Sequence, residues 1–198
     1  MTLAEALQPL YSSYLRRLDE MVARLPEGVA LTERTTRGED GRLVLGDDGL
    51  PLRFDVADSR DGHTYEVHGA RPDAPEAETL RVGRVELRLS PGNWEELRVA
   101  CVFDHRPLPE DAEELADLLR GFAIFSWYGG FAGARRAGED RWKGGAHALR
   151  VQLVENELRA VFDLGTCPPV AVEALCAALS GFCEERVPMA YVRIGGPG

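Results

Sequence analysis

Apolar residues recur every three or four positions in three stretches of the chain and every second position in several others. Leu7, Tyr11, Tyr14, Leu18, Met21 (with Val22) and Leu25 mark a first helix over residues 3–25. Pro9 suits a first helical turn, which sets the regular part of this helix near it, and Pro26-Glu27-Gly28 ends it. A second helix spans 109–128, with Ala112, Leu115, Leu118 (with Leu119), Phe122 and Phe125 facing inward. Pro109 opens it, and Glu110, Asp111, Glu113 and Glu114 complement its positive end. A third helix starts at Pro168, with Val172, Leu175, Leu179 and Phe182 as its stripe.

Between these lie strands. Leu43–Leu45 is a short apolar run, followed by a turn at Asp47-Asp48-Gly49. Leu50, Leu52, Phe54 and Val56 then alternate with Pro51, Arg53 and Asp55, a period of two that places the charged pair on the solvent side. Asp61-Gly62 is a hairpin signal before Tyr65 and Val67. Residues 70–78, rich in proline and acids, read as an exposed loop. Val85, Leu87 and Leu89, then Leu97, Val99, Cys101 and Phe103, predict a long antiparallel hairpin with one buried face. Leu149–Leu153 and Leu158–Phe162 form another across Glu155-Asn156, and a last strand runs from Met189 to Ile194.

The order is α-β-β-β-β-β-α-β-β-α-β. Hairpins dominate and helices come singly, so the expected fold is α+β: an antiparallel sheet of hairpins with three helices. Residues 1–198 form a single domain in this reading, with a subdivision near 105 as the alternative: helix plus hairpins before it, α-β-β-α-β after it. At 198 residues the chain buries enough surface to fold without a metal or disulfide.

Charge narrows the partners. The net charge is -10, spread over both halves, with 20 acids against 13 bases in residues 1–104 and 13 against 10 in 105–198. That field repels phosphate backbones, so nucleic acid is not expected as a partner. No apolar run is long enough for a membrane span and the N-terminus lacks the pattern of a signal peptide, so a cytoplasmic protein is expected. Of 23 basic residues only Lys143 is a lysine, and in the linear sequence the arginines cluster only at 135–143.

Candidate chemistry is sparse. Cys167 precedes Pro168 at a helix start, where a thiol can be activated, and His147 is the base nearest to it in sequence. The alternative is a small capping residue in a reducing compartment. Cys101, Cys176 and Cys183 read as core or half-buried residues. His63, His68, His105 and His147 form no paired metal motif, and neither metal nor cofactor is expected. The stretch 129–145 holds glycines and arginines, but Lys143 is followed by Gly144 rather than Ser or Thr, and the glycines follow a helix instead of opening one. Trp127, Tyr128, Arg135, Arg136, Arg141 and Trp142 are residue types enriched at interfaces and are the expected contacts to a protein partner.

The segments EDAEELADLLRGF, ALRVQLVENELRAVFDL and PPVAVEALCAALSGFCEE, within residues 109–185, carry a likeness of element order. Preceded by a helix and hairpins, this part of the chain resembles type III secretion chaperones and the related YbjN-like domains. The hairpin at 80–104 and the strand at 189–194 depart from that plan. The resemblance implies a non-catalytic, chaperone- or adaptor-like protein that forms a homodimer and holds an extended partner segment on a sheet edge and in apolar grooves. Two other functions are compatible with the sequence: an immunity protein steered to a basic toxin by its acidity, and a cysteine-dependent enzyme using Cys167.

Overall fold

The computed structural model describes residues 1–46, 49–68, 78–90, 92–128, 130–131 and 145–195. The chain is α+β, and among the described residues it has three helices and nine strands in two sheets, in the expected succession of helices and strand groups with one strand more before the second helix. Helix α1, Leu3–Ala23, begins at a capping box: the Thr2 hydroxyl accepts from the Glu5 backbone N–H and the Glu5 carboxylate accepts from that of Thr2. The helix therefore starts six residues before Pro9, which lies inside it, and not near the proline as its sequence suggested. Its buried stripe is Leu3, Leu7, Leu10, Tyr14 and Leu18.

The smaller sheet has the order β1-β2-β3, from Ala30–Thr35, Arg53–Asp58 and Thr64–Tyr65. The run at Leu43–Leu45 forms isolated bridges with Arg37 and Pro51 in the connection between β1 and β2. In β2 the period-two reading fails, because Asp55, Val56, Ala57 and Asp58 are all buried. Helix α1 packs on this strand, so the side expected to meet water meets protein.

The larger sheet is β4-β5-β9-β6-β8-β7, built from Glu78–Val82, Val85–Leu89, Tyr191–Ile194, Leu97–Val102, Glu157–Asp163 and Ala148–Val154. It takes strands from both sides of residue 105. The long hairpin expected between β5 and β6 does not form. Strand β9 enters between them, parallel to β5 and antiparallel to β6. Val192 and Ile194 thereby extend the apolar face carried by Leu87, Leu89, Val99 and Cys101. The β5–β6 connection is anchored elsewhere: Trp94 is buried in it and its indole N–H donates to the Gly165 carbonyl at 3.0 Å. The true partner of β5 in a hairpin is β4.

Helix α2, Pro109–Trp127, packs on β7 and β8, while α3, Pro169–Glu185, packs on β4 and β5; α1 lies against α3. Phe162 of β8 meets Phe122 of α2 edge-on, with ring centroids 5.4 Å apart. The inward stripe of α2 is Ala112, Leu115, Ala116, Leu119, Phe122, Ala123, Ser126 and Trp127. Phe125, expected in that stripe, is exposed and packs on Phe131; Trp127 takes the inward place. Among the described residues no helix is long and apolar enough to cross a membrane.

Candidate functional site

Two features stand out above a filled core: a buried cluster of charges between the sheets, and an apolar groove beside the end strand of the larger sheet.

The cluster draws Glu33 from β1, Arg53 and Asp55 from β2, Tyr14 from α1, His147 just before β7 and Asp163 at the end of β8. Glu33 reaches it through a break in the ladder. Thr32 pairs with Val56 and Arg34 with Phe54, but Glu33, with φ 48°, sits in the left-handed region between them. Such backbone costs about 1–3 kcal/mol and persists only where its surroundings hold it. His147 Nε2 lies 2.9 Å from Glu33 Oε1, and its Nδ1 lies 3.4 Å from Asp55 Oδ1 and 3.7 Å from Asp163 Oδ2. The Thr166 backbone N–H also donates to Glu33 Oε1, at 2.9 Å. Asp55 accepts from the Tyr14 hydroxyl at 2.5 Å and from the Val67 backbone N–H at 2.6 Å. Arg53 donates to the Trp127 carbonyl at 2.8 Å, stacks over that indole, and faces Glu33 Oε2 at 3.7 Å.

Burial opposes a charge on His147, but Asp163 and Glu33 outweigh it and hold the imidazole well above its ordinary pKa, so it is a cation at neutral pH. Burial likewise raises the Glu33 carboxyl, and the hydrogen bond and charge of His147, with Thr166, more than reverse the effect. Asp55 goes the other way: burial pushes it up to about 6 despite the pull of His147. A general base needs an unprotonated nitrogen open to a substrate. Here both ring nitrogens face carboxylates, and neither groove described below is lined by the cluster. Its arrangement suits a lock between sheets. The fit is close: Gly165 has φ 48°, and a Cβ on it would overlap the His147 ring. Among the described residues no group of three His, Cys, Asp or Glu side chains is arranged to hold a metal ion.

Cys167 offers no activated thiol. It is wholly buried ahead of Pro168, the N-cap of α3, and burial pushes its pKa up to about 12, with Ser126 lowering it only in part. The effect expected of a helix start loses to desolvation.

The second feature lies at the edge of the larger sheet. Among the described residues strand β7 stands at the end of the larger sheet, paired with β8. Beside it runs a groove of about 690 Å³, walled by Ile124, Trp127 and Tyr128 of α2, by Leu45, Leu50 and Pro51, and by Leu149 and Val151 of β7 itself. Leu45 is 58 % exposed, Ile124 47 % and Tyr128 77 %. Trp127 is buried and shapes the wall: its indole N–H donates to the Pro51 carbonyl at 3.2 Å, and its ring meets Tyr128 edge-on. Of the contacts expected from the sequence, Trp127 and Tyr128 thus both lie on this groove, one as wall and one at the rim. Arg135, Arg136, Arg141 and Trp142 lie outside the described residues.

On the opposite face of the sheet a second, smaller concavity of about 510 Å³ is ringed by Arg98, Arg150, Arg159 and Arg193. Arginines do cluster outside 135–143, contrary to the linear reading. They stand at alternate positions of four different strands, and only the strand pairing brings them together. Comparison with known protein families, with curated proteins and with solved structures found no match to this chain.

Proposed function

We propose that this is a non-catalytic binding protein, chaperone- or adaptor-like, which holds an extended segment of another protein in the apolar groove beside β7. The observation that carries the reading is a groove of about 690 Å³ whose exposed apolar side chains, Leu45, Ile124 and Tyr128, stand beside half-buried Val151 of β7, with Arg120 and Arg150 also in its lining. Pockets that take alternate side chains of an extended segment supply selectivity in such recognition. Val151 and Leu153, on the helix side of β7, are only half-buried, which leaves apolar surface for an incoming segment to cover.

The test uses synthetic peptides with an apolar residue at every second position and serine between. They are expected to bind in fluorescence anisotropy, to slow amide exchange in residues 148–154, and to weaken by about tenfold or more in the Ile124→Asp and Val151→Asp variants. Binding that ignores both substitutions, or protection confined to other strands, would reject the reading.

A further inference from the structure

We infer that the arginine-ringed face of the larger sheet docks an acidic α-helix of a partner protein, laid across the strands with its carboxylates over the guanidiniums. Phe162 of β8 meets α2, so the intervening positions of these strands face the other way. Arg98, Arg150, Arg159 and Arg193 hold such positions around the concavity of about 510 Å³. Its occupation does not depend on that of the apolar groove.

Strand pairing sets the four arginines in a row. Ala100 of β6 pairs with Arg193 of β9 on one side and with Arg159 of β8 on the other. Val161 of β8 pairs with Arg98 of β6 on one side and with Arg150 of β7 on the other. Arg193, Arg98, Arg159 and Arg150 therefore succeed one another strand by strand, each diagonal to the next. Each step crosses one strand spacing of about 4.8 Å, so the row spans about 14 Å at right angles to the strands. On an α-helix, acids three or four residues apart advance about 4.5–6 Å along one face. Four of them, at i, i+3, i+7 and i+10, cover about 15 Å and match the row. Side chains on one face of an extended segment advance about 6.7 Å each and overshoot it.

The charges also suit an acidic occupant. Glu96 pairs with Arg98 at 2.8 Å, and Glu157 is shared by Arg159 at 2.8 Å and Arg193 at 3.2 Å. Burial would raise the Glu157 carboxyl, but those two arginines outweigh it and hold it below its ordinary range. Among the described residues no acid lies within ion-pair distance of Arg150, which is exposed on β7. Four guanidiniums against two carboxylates leave this face positive on a chain of net charge -10. Each guanidinium has five N–H donors, and the side chains of Arg98, Arg159 and Arg193 are partly open, so donors remain for incoming carboxylates. Ala100 and half-buried Val161 lie between them as a floor of small side chains for the aliphatic stems of the helix. A nucleic acid strand, by contrast, would carry phosphates past the row onto the acidic remainder of the chain.

The experiment uses three capped, alanine-based helical peptides and a single-stranded oligonucleotide. One peptide carries glutamates at i, i+3, i+7 and i+10. The second carries the same glutamates spread round the helix, and the third carries lysines at the striped positions. The striped glutamate peptide is expected to bind about tenfold more tightly than either of the others at low salt, with its lead over the lysine peptide closing at high salt. It should shift the backbone amide signals of Arg98, Arg150, Arg159 and Arg193. Arg150→Glu should weaken it about tenfold, while Ile124→Asp, in the apolar groove, should leave it within about twofold. Equal binding of the striped and spread peptides, indifference to Arg150→Glu, or no binding at all would overturn the inference and leave the groove reading standing. Loss of the striped peptide on Ile124→Asp would move it to the groove and also overturn the inference. So would an oligonucleotide that binds more tightly than the striped peptide and is lost on Arg150→Glu.

Discussion

The imidazole of His147 meets the carboxylate of Glu33 at 2.9 Å, across an interval of 114 residues, and this contact ties the smaller sheet to the start of β7. The same histidine approaches Asp55 on β2 and Asp163 on β8, so one cation holds acids from three strands. Because β7 also walls the groove proposed to hold a partner, the lock sets how rigidly that wall is presented. Breaking one member of a buried charge cluster leaves the others uncompensated, which costs far more than a surface ion pair.

Gly165 is the first place to test this packing. Its φ of 48° is unfavourable for a residue with a Cβ, and an added Cβ would overlap His147. Gly165→Ala is expected to lower the free energy of unfolding by about 3 kcal/mol or more, combining backbone and steric costs. Chemical denaturation measures it. A loss within about 0.5 kcal/mol would mean that the loop moves freely aside and that the cluster is not closely built.

Much of the fold is legible in the chain. The three helices and most strands follow from periodicity, because burial on one face leaves a period of 3.6 or 2 in the sequence. The charged cluster is not legible in this way. Arg53 and Asp55 occupy the alternate positions of an apolar strand, which reads as solvent-facing; α1 packing on β2, with the Tyr14 hydroxyl directed at Asp55, and the Trp127 ring stacked on Arg53 put them inside. Glu33 reads as an ordinary charge because its inward turn depends on a local left-handed φ. The arginine face has a faint signal, in that Arg98, Arg150, Arg159 and Arg193 each alternate with apolar neighbours. Arg98, Arg150 and Arg159 meet through the pairing of β6, β8 and β7, and Arg193 joins them because β9 enters the sheet, which no local pattern specifies.

Asp55 gives the stability a definite pH dependence. Burial, acting against His147, raises its pKa from an ordinary value near 3.8 to about 6. The folded state thus binds this proton more tightly than the unfolded state, so the Asp55 contribution to stability falls as pH rises from about 4 to about 6. The neighbours that face it are Tyr14, His147, Asp163 and the Val67 backbone N–H. Asp55→Asn removes this titration. Relative to the wild type, the variant should gain up to about 3 kcal/mol between pH 4 and pH 7, since a tenfold change in proton affinity corresponds to about 1.4 kcal/mol. Parallel stability curves for the two proteins over that range would contradict the assignment.

The cysteines should differ sharply toward iodoacetamide. Cys183 is half-buried, whereas Cys101, Cys167 and Cys176 are buried and burial raises their thiols, Cys101 and Cys167 to about 12. At neutral pH the expected order is Cys183 first, with the other three labelled only as the protein opens. Mass spectrometry of timed alkylation resolves the sites. Labelling of Cys167 faster than a free cysteine peptide would restore the case for a catalytic thiol.

A double-mutant cycle on Glu33 and His147 tests the lock directly. Each side chain is nearly inaccessible to solvent and is the other's closest charged partner. Glu33→Gln leaves the imidazolium facing two acids instead of three, and His147→Gln leaves Glu33, Asp55 and Asp163 without their shared cation. Each single change is expected to destabilise by about 3–5 kcal/mol, and the pair together by clearly less than the sum, because the second change no longer strands a buried charge. The sign of the pH dependence follows from the raised His147 pKa. The wild-type advantage over His147→Gln attributable to this proton is fully present below about pH 6.5 and shrinks as pH rises through the folded-state value. Additive losses, or an advantage that grows in alkali, would show that Glu33 and His147 are neighbours without being partners.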